Sequence, residues 1–336
     1  ILGGKGNETF NGGTGKDYMH GGLGIDTFVI KSGDGSTTLA NADVIYDFTD
    51  GTDIIGMDSL TFDQLTIAQG SGNYANHVLV SIKSSGEYVA VIQSIAVGNI
   101  TALDFVSTST ADQTINGTTG NDTLIGGGGD DTFNTSTGTD SVYGHGGNDT
   151  INVNGTGSKV IDGGSGTDSL VINYSGISNL GDFAISESGD YIVLTAANGD
   201  TIQFKNVENL TVGSIAYTND SSANTFWNSS EYVLYMYSGG NTSSNDITSL
   251  SGFSISSNLS VIGSESADTM NININRSSEF SGNWTIDLKA GNDVINSGKV
   301  KNTDSIDLGS GNDSISLMFG ADAGGVQTIA NANQFY

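Results

Sequence analysis

The chain has 336 residues, of which 36% are hydrophobic and only 14% charged, with 37 acids against 10 bases and a net charge of −27. A charge of that sign and size repels the phosphate backbone of nucleic acids and attracts cations. The absence of cysteine excludes a disulfide framework, a zinc–thiolate site and an iron–sulfur cluster.

The chain opens inside a repeat. GGKGNETFN (3–11), GGTGKDYMH (12–20) and GGLGIDTFV (21–29) carry Gly at places one, two and four and an apolar residue at place eight. Place six is Asp in two of them and Glu8 in the first. Residues 31–106 change texture. DVIYDFTDGTDIIGM (43–57) comes first, a short helical candidate lies near LTFDQLTIA (60–68), and HVLVSIKSSGEYVAVIQ (77–93) reads as two strands around a Ser-Gly turn. A second array runs in nine-residue register from 117 to 152, as GTTGNDTLI, GGGGDDTFN, TSTGTDSVY and GHGGNDTIN. A ten-residue spacer, VNGTGSKVID, precedes GGSGTDSLV (163–171). YIVLTAANGDTIQF (191–204) is a hairpin signal turning at Asn198-Gly199. Residues 226–237 form an aromatic patch, FWNSSEYVLYMY, within a Ser/Asn-rich stretch. Near the end, GSESADTMN (263–271), IDLKAGNDVI (286–295) and IDLGSGNDSI (306–315) make a weaker third array.

One apolar anchor every nine residues cannot give a helix its stripe. It suits a six-residue loop followed by a three-residue strand, two such units closing one turn of a flattened coil. Stacked turns would then bury Met19, Phe28, Leu124, Phe133, Val142, Ile151 and Leu170. Glycine lets the loops reach positive φ and bring carbonyls together, and the place-six carboxylate adds charge. Calcium takes six to eight oxygens in flexible geometry, which such loops supply. Loops two units apart would share an ion, pairing Glu8 with Asp26, Asp122 with Asp140 and Asp131 with Asp149. The plainer alternative is a Gly/Asp-rich repeat that makes turns and binds nothing.

The pattern resembles the RTX, or haemolysin-type calcium-binding, repeat of parallel β-rolls, closely over 3–29 and 117–171 and loosely over 263–316. The resemblance implies several calcium ions held by Glu8, Asp17, Asp26, Asp122, Asp131, Asp140, Asp149, Asp168, Asp293 and Asp313. It implies further ligands from the backbone carbonyls of Gly12, Thr14, Gly21, Leu23, Gly126, Gly128, Gly144 and Gly146. DVIYDFTDGTDIIGM is similar to a stretch flanking β-rolls in serralysin-type proteases and other type I secretion substrates. KNVENLTVG (205–213) resembles a segment of long RTX surface proteins. Departures are the longer Glu8, Thr135 and Ser136 in place of loop glycines, and Ser158 where Asp is expected. Asp43, Asp47 and Asp53 read as strand-end and turn residues rather than as a further site.

Catalytic patterns are missing from the sequence. There is no H-E-x-x-H, no G-x-S-x-G and no G-x-G-x-x-G. GGTGKD (12–17) lacks the upstream Gly of a phosphate loop and has Asp after the Lys. Acid pairs such as Asp130-Asp131 belong to the repeat. His20 and His145 fall on variable places and read as exposed spacers, and His77 is isolated. In the aromatic patch, Trp227, Tyr232, Tyr235 and Tyr237 would stack on a cell-surface glycan, form an interface or, the favoured reading, pack a core as alternating strand residues.

The expected fold is all-β, with parallel β-roll (RTX solenoid) segments interrupted by antiparallel β inserts. The expected divisions are a β-roll over 1–30, a β-rich flanking domain over 31–106 and a second β-roll over 107–172. A β-rich insert (173–258), a degenerate β-roll (259–320) and a tail (321–336) complete them. The chain starts with Ile inside a repeat and has no signal-peptide pattern, so it reads as a segment of a longer or processed polypeptide. Its longest apolar-rich run, YVAVIQSIAV (88–97), is too short for a membrane span. The expected function is non-enzymatic: a calcium-dependent structural protein of a bacterial cell surface, an S-layer or filament/adhesin, exported by a type I system and assembling with copies of itself. The alternative is the non-catalytic C-terminal region of a secreted RTX protease or lipase.

Overall fold

A computed structural model of the chain describes residues 1–220, 225–229, 233–236, 259–263, 269–272, 284–300, 305–319, 328–330 and 334–335. It divides into two compact units, Ile1–Asp168 and Ser169–Tyr336. The described residues are strands, turns and short 3-10 turns, as the Thr/Val/Ile-rich, glycine-punctuated composition leads one to expect.

In the first unit the nine-residue units alternate between two parallel sheets, so that each strand pairs with the one two units away. Thr9–Asn11 pairs with Thr27–Lys31 (Phe10 opposite Phe28), and Thr123–Ile125 pairs with Asp140–Tyr143 (Leu124 opposite Val142). Thr132–Thr135 lies between Thr114–Asn116 and Thr150–Val153 and aligns Ile115, Phe133 and Ile151. The apolar place-eight side chains point inward. Met19, Phe28, Phe133, Val142 and Ile151 are fully buried and Leu124 nearly so. This is the β-roll, with its core a row of single side chains between two sheets.

The segment 43–57 continues the first roll. Val44–Ile45 adds in parallel to Tyr18–Met19, and Ile54–Asp58 adds in parallel to Thr27–Lys31. The insert then extends one sheet: Tyr88–Ile92 lies parallel to Val44–Ile45, and Val78–Ile82 and Leu65–Gln69 follow in antiparallel pairing. Its turn has Gly86 at φ +69°. Val78, Val80 and Ile92 join Phe28, Ile55 and Phe105 in one apolar cluster.

The helical candidate at 60–68 is corrected to a single 3-10 turn, Phe62–Gln64, followed by the strand Leu65–Gln69. Thr61 and Gln64 cap the turn reciprocally, and the insert sheet takes Leu65 onward as a strand.

In the second unit, Phe183–Ser188, Tyr191–Ala196 and Thr201–Lys205 form an antiparallel meander, with Gly199 at φ +89° in the turn expected at Asn198-Gly199. Asn209–Val212, from the KNVENLTVG segment, pairs in parallel with Ser169–Ile172 and antiparallel with Ile215–Asp220. Further on the pairing is parallel again with a twenty-residue repeat: Trp284–Asp287 with Ser305–Asp307, and Val294–Val300 with Ser314–Phe319. In the aromatic patch, Phe226 and Tyr235 are buried, and Tyr235 meets Tyr217 edge-on at 5.7 Å between ring centres. Trp227 lies in the strand Thr225–Asn228. Tyr232 and Tyr237, and Asp268 of the third array, lie outside the described residues. Among the described residues no helix is long and apolar enough to cross a membrane.

Candidate metal centre

Each loop of the roll ends at place six, where the backbone turns into the next strand. There the carboxylate Oδ1 accepts the backbone N–H of the place-six residue one coil turn earlier. The bonds run from Glu8 to Asp26 (2.9 Å), from Asp122 to Asp140 (3.1 Å), from Asp131 to Asp149 (2.7 Å) and from Asp149 to Asp168 (2.7 Å). Asp293 donates to Asp313 in the same way at 2.9 Å, so the third array builds the same ladder from twenty-residue turns. The carboxylates therefore stand in columns up the stack. Asp26, Asp131, Asp140, Asp149, Asp168, Asp293 and Asp313 are all buried.

Two members of the ladder escaped the sequence reading of Asp43 and Asp53 as ordinary strand-end residues. Asp43 Oδ1 accepts the N–H of Asp17 (2.8 Å), and Asp53 Oδ1 accepts that of Asp26 (3.0 Å). Both carboxylates begin strands that stack on the repeats, a signal carried by the D-x-I pattern but not by the nine-residue spacing. Asp47 instead takes the N–H groups of Gly21 (2.9 Å) and Gly22 (2.8 Å) and pairs with His20.

The second oxygens divide the carboxylates. Glu8 Oε2, Asp122 Oδ2 and Asp131 Oδ2 fold back to the place-two N–H of their own loops, at Gly4 (3.1 Å), Thr118 (2.6 Å) and Gly127 (2.9 Å). The Oδ2 atoms of Asp149 and Asp313 are buried and accept no hydrogen bond. A buried carboxylate oxygen without a donor is costly unless a cation meets it. Burial, reinforced by the neighbouring charges of Asp168, Asp131 and Asp130, pushes the Asp149 carboxyl up to about 7. Burial likewise lifts Asp43 to about 6, with Asp17 and Asp34 adding repulsion.

The loops that carry these carboxylates are stitched to one another. Gly146 donates to Gly127 O (3.0 Å), Gly128 to Ser109 O (2.9 Å), Leu23 to Gly4 O (2.9 Å) and Gly147 to Ser165 O (3.1 Å). Gly147 shows why glycine is needed. Its φ is +108°, and a Cβ there would run into the carbonyl of Gly129 in the loop beneath. Gly12 lies against Asp17 and Asp43, Gly21 against Asp26, Gly126 against Asp131 and Gly144 against Asp149. The carbonyl of Gly126 accepts the N–H of Ser107 at 2.9 Å. Thr14 and Leu23 sit on exposed loop tips.

Among the described residues no group of three or more Asp, Glu, His or Cys side chains gathers at one point. An ion here would thus draw most of its ligands from loop carbonyls, with one or two carboxylates for charge. That donor set is all oxygen and suits calcium. His145 is corrected from an exposed spacer. It is partly buried at φ +69°, with Nε2 enclosed, and burial pushes its imidazole below the ordinary range. His20 is exposed, and His77 Nδ1 accepts the N–H of Ser94 at 3.1 Å.

Comparison with known proteins gives one family. Residues 1–28, 107–142, 125–157 and 301–323 match the RTX calcium-binding nonapeptide repeat. No curated protein matches the chain. Among solved structures, the extracellular lipase LipA from Serratia marcescens aligns at 13% identity and a TM-score of 0.29. That alignment covers 88% of this chain and 58% of the lipase.

Proposed function

The chain is an RTX repeat protein with calcium-binding repeats in separate parts of its length, and from that premise we propose that it is a calcium-dependent structural protein of a bacterial cell surface. In this reading it is an S-layer or filament/adhesin segment, exported by a type I system, that folds and then assembles with its own copies on meeting extracellular calcium. The observation that carries the calcium step is the Asp131–Asp149–Asp168 column. There a buried Asp149 oxygen has no hydrogen-bond donor and lies between stitched, carbonyl-rich loops. Asp17, Asp26, Asp122, Asp293 and Asp313 would hold ions in the same way, with Glu8 at the start of its column, while the second oxygen of Asp140 faces Lys159 instead. The carbonyls of Gly12, Thr14, Gly21, Leu23, Gly126, Gly128, Gly144 and Gly146 would complete the sets. Calcium supplies the charge that allows the carboxylates to be buried together. An ion present at 100 times its dissociation constant adds about 2.7 kcal/mol to folding. The open ends of a parallel stack present unpaired backbone groups, which favours association with a second copy.

Sedimentation velocity in chelator and then in millimolar calcium tests this. The expected result is an expanded monomer that becomes large assemblies. A compact calcium-loaded monomer would replace the surface lattice with a non-catalytic module of a secreted enzyme. An unchanged profile would overturn the calcium step itself.

A further inference from the structure

The two columns of the second array part company at the same height. In one, Asp131, Asp149 and Asp168 follow each other. In the other, Asp122 is followed by Asp140, and the residue paired with Asp140 in the next strand is Lys159. The ten-residue spacer contains a repeat loop, N-G-T-G-S-K (154–159), with Lys at place six where its neighbours have Asp. The backbone supports this frame, since Gly138 donates to Thr156 O (3.2 Å) as Gly147 donates to Ser165 O. The sequence reading placed the missing carboxylate at Ser158, and the register moves it by one residue.

Lys159 does not leave the stack for solvent. It is 0% exposed, an unusual place for a lysine. Its Nζ donates to three loop carbonyls, Gly138 O at 2.7 Å, Gly157 O at 3.0 Å and Thr156 O at 3.2 Å. The Asp140 Oδ2 stands 3.2 Å away, a charge–charge contact without hydrogen-bond geometry. Three carbonyls satisfy the three donors of an ammonium, and one carboxylate balances its charge. Two loops of consecutive turns supply these oxygens, the kind of set expected to surround an ion elsewhere in the roll.

We infer that Lys159 is a tethered cation that fills one of the roll's ion positions, so that the loop pair 136–140 and 154–158 takes no calcium and stays closed without it. The inference rests on the calcium reading of the neighbouring loops for the first half of this statement, and on the contacts of Lys159 alone for the second. The tethered charge gives the roll one turn whose closure does not wait for calcium. It also reverses the charge at one place in a column that would otherwise be wholly acidic.

The test uses the full chain, with bound calcium counted by equilibrium dialysis and amide hydrogen exchange followed in chelator. In the wild type, the amides of 138–140 and 157–159 should remain protected in chelator while those around Asp149 lose protection. Lys159→Met should speed exchange of the first group by roughly tenfold to a hundredfold, the loss expected for a set of charged hydrogen bonds. Lys159→Asp should bind one calcium ion more than the wild type, and its loop pair should then close only with calcium. Equal calcium counts for the wild type and Lys159→Asp, with both loaded, would overturn the first half. Wild-type amides at 138–140 as exposed in chelator as those around Asp149 would overturn the second. A wild type that binds no calcium, yet keeps its Lys159 loop pair protected until Lys159→Met removes the charge, would sink the calcium reading and leave the tethered cation standing.

Discussion

Between Asp131 and Asp168, successive carboxylates of a column are 18 and 19 residues apart, whereas Asp17 is 26 residues from Asp43 and Asp26 is 27 from Asp53. The ladder bond is the same in both regions, and the extra chain is thrown out as loops. The longer turns change how the charge is met. Asp53 has donors on both oxygens, the second being the N–H of Thr49 at 2.8 Å, and Asp47 has two glycine N–H groups as well as His20. Asp149, set among short loops, has an oxygen that receives none. The first roll also shares an apolar cluster with its insert, which brings Val78, Val80 and Ile92 to Phe28 and Ile55. A long loop can supply its own donors and its own core. A nine-residue loop brings no core of its own, and it gives the second oxygen a donor at Asp122 and Asp131 but not at Asp149.

Removing calcium should separate the two regions most. In chelator, amides of Thr132–Thr135 and Thr150–Val153 should exchange about a hundredfold faster, while those of Ile54–Asp58 and Val78–Ile82 change far less, as read by hydrogen exchange with and without the ion. Equal acceleration in both regions would erase the distinction.

Single carboxylates should sharpen it. Asp149→Ala removes the acceptor of a buried N–H, that of Asp131. It should lower stability by about 1–3 kcal/mol in urea unfolding at saturating calcium and reduce the calcium bound. Asp53→Ala, which strips two N–H groups of their acceptor, should cost a comparable amount and leave the calcium count unchanged.

The smallest effect is on pH. In the folded chain the Asp149 carboxyl titrates at about 7, against 3.8 ordinarily. The folded state thus holds a proton that the unfolded chain has released. The resulting stability is fully present below 3.8 and is lost as pH rises through about 7. Asp43, at about 6, acts in the same sense. Thermal unfolding without calcium should therefore occur at lower temperature at pH 8 than at pH 5. With calcium present the trend should reverse, because the ion competes with these protons.

Much of this was legible in the sequence because the repeat writes its geometry twice, once in the apolar place eight and once in the acidic place six. Phe133, Val142 and Ile151 are in the core for the first reason. Asp122 meets Asp140, and Asp131 meets Asp149, for the second. Spacing concealed what sequence distance does not preserve. Asp43 and Asp53 join their columns only because strand pairing sets the height of a residue, whatever the length of the loop before it. Lys159 was hidden by one inserted residue, which shifts a frame counted in nines but leaves the paired strands undisturbed. The strand Leu65–Gln69 was read as helical because its apolar residues also fit a short helical period, and only its antiparallel partner Val78–Ile82 decides between the two.

The ladder also has a sense of direction. In every described rung the amide belongs to the earlier turn and the carboxylate to the later one, from Glu8 through Asp26 to Asp53 and from Gln113 through Asp131 and Asp149 to Asp168. The place-five side chains run the other way, with Ile25 donating to Asn7, Thr139 to Asn121, Asn148 to Asp130 and Thr167 to Asn148, so each turn is tied forward by one column of side chains and backward by the column beside it.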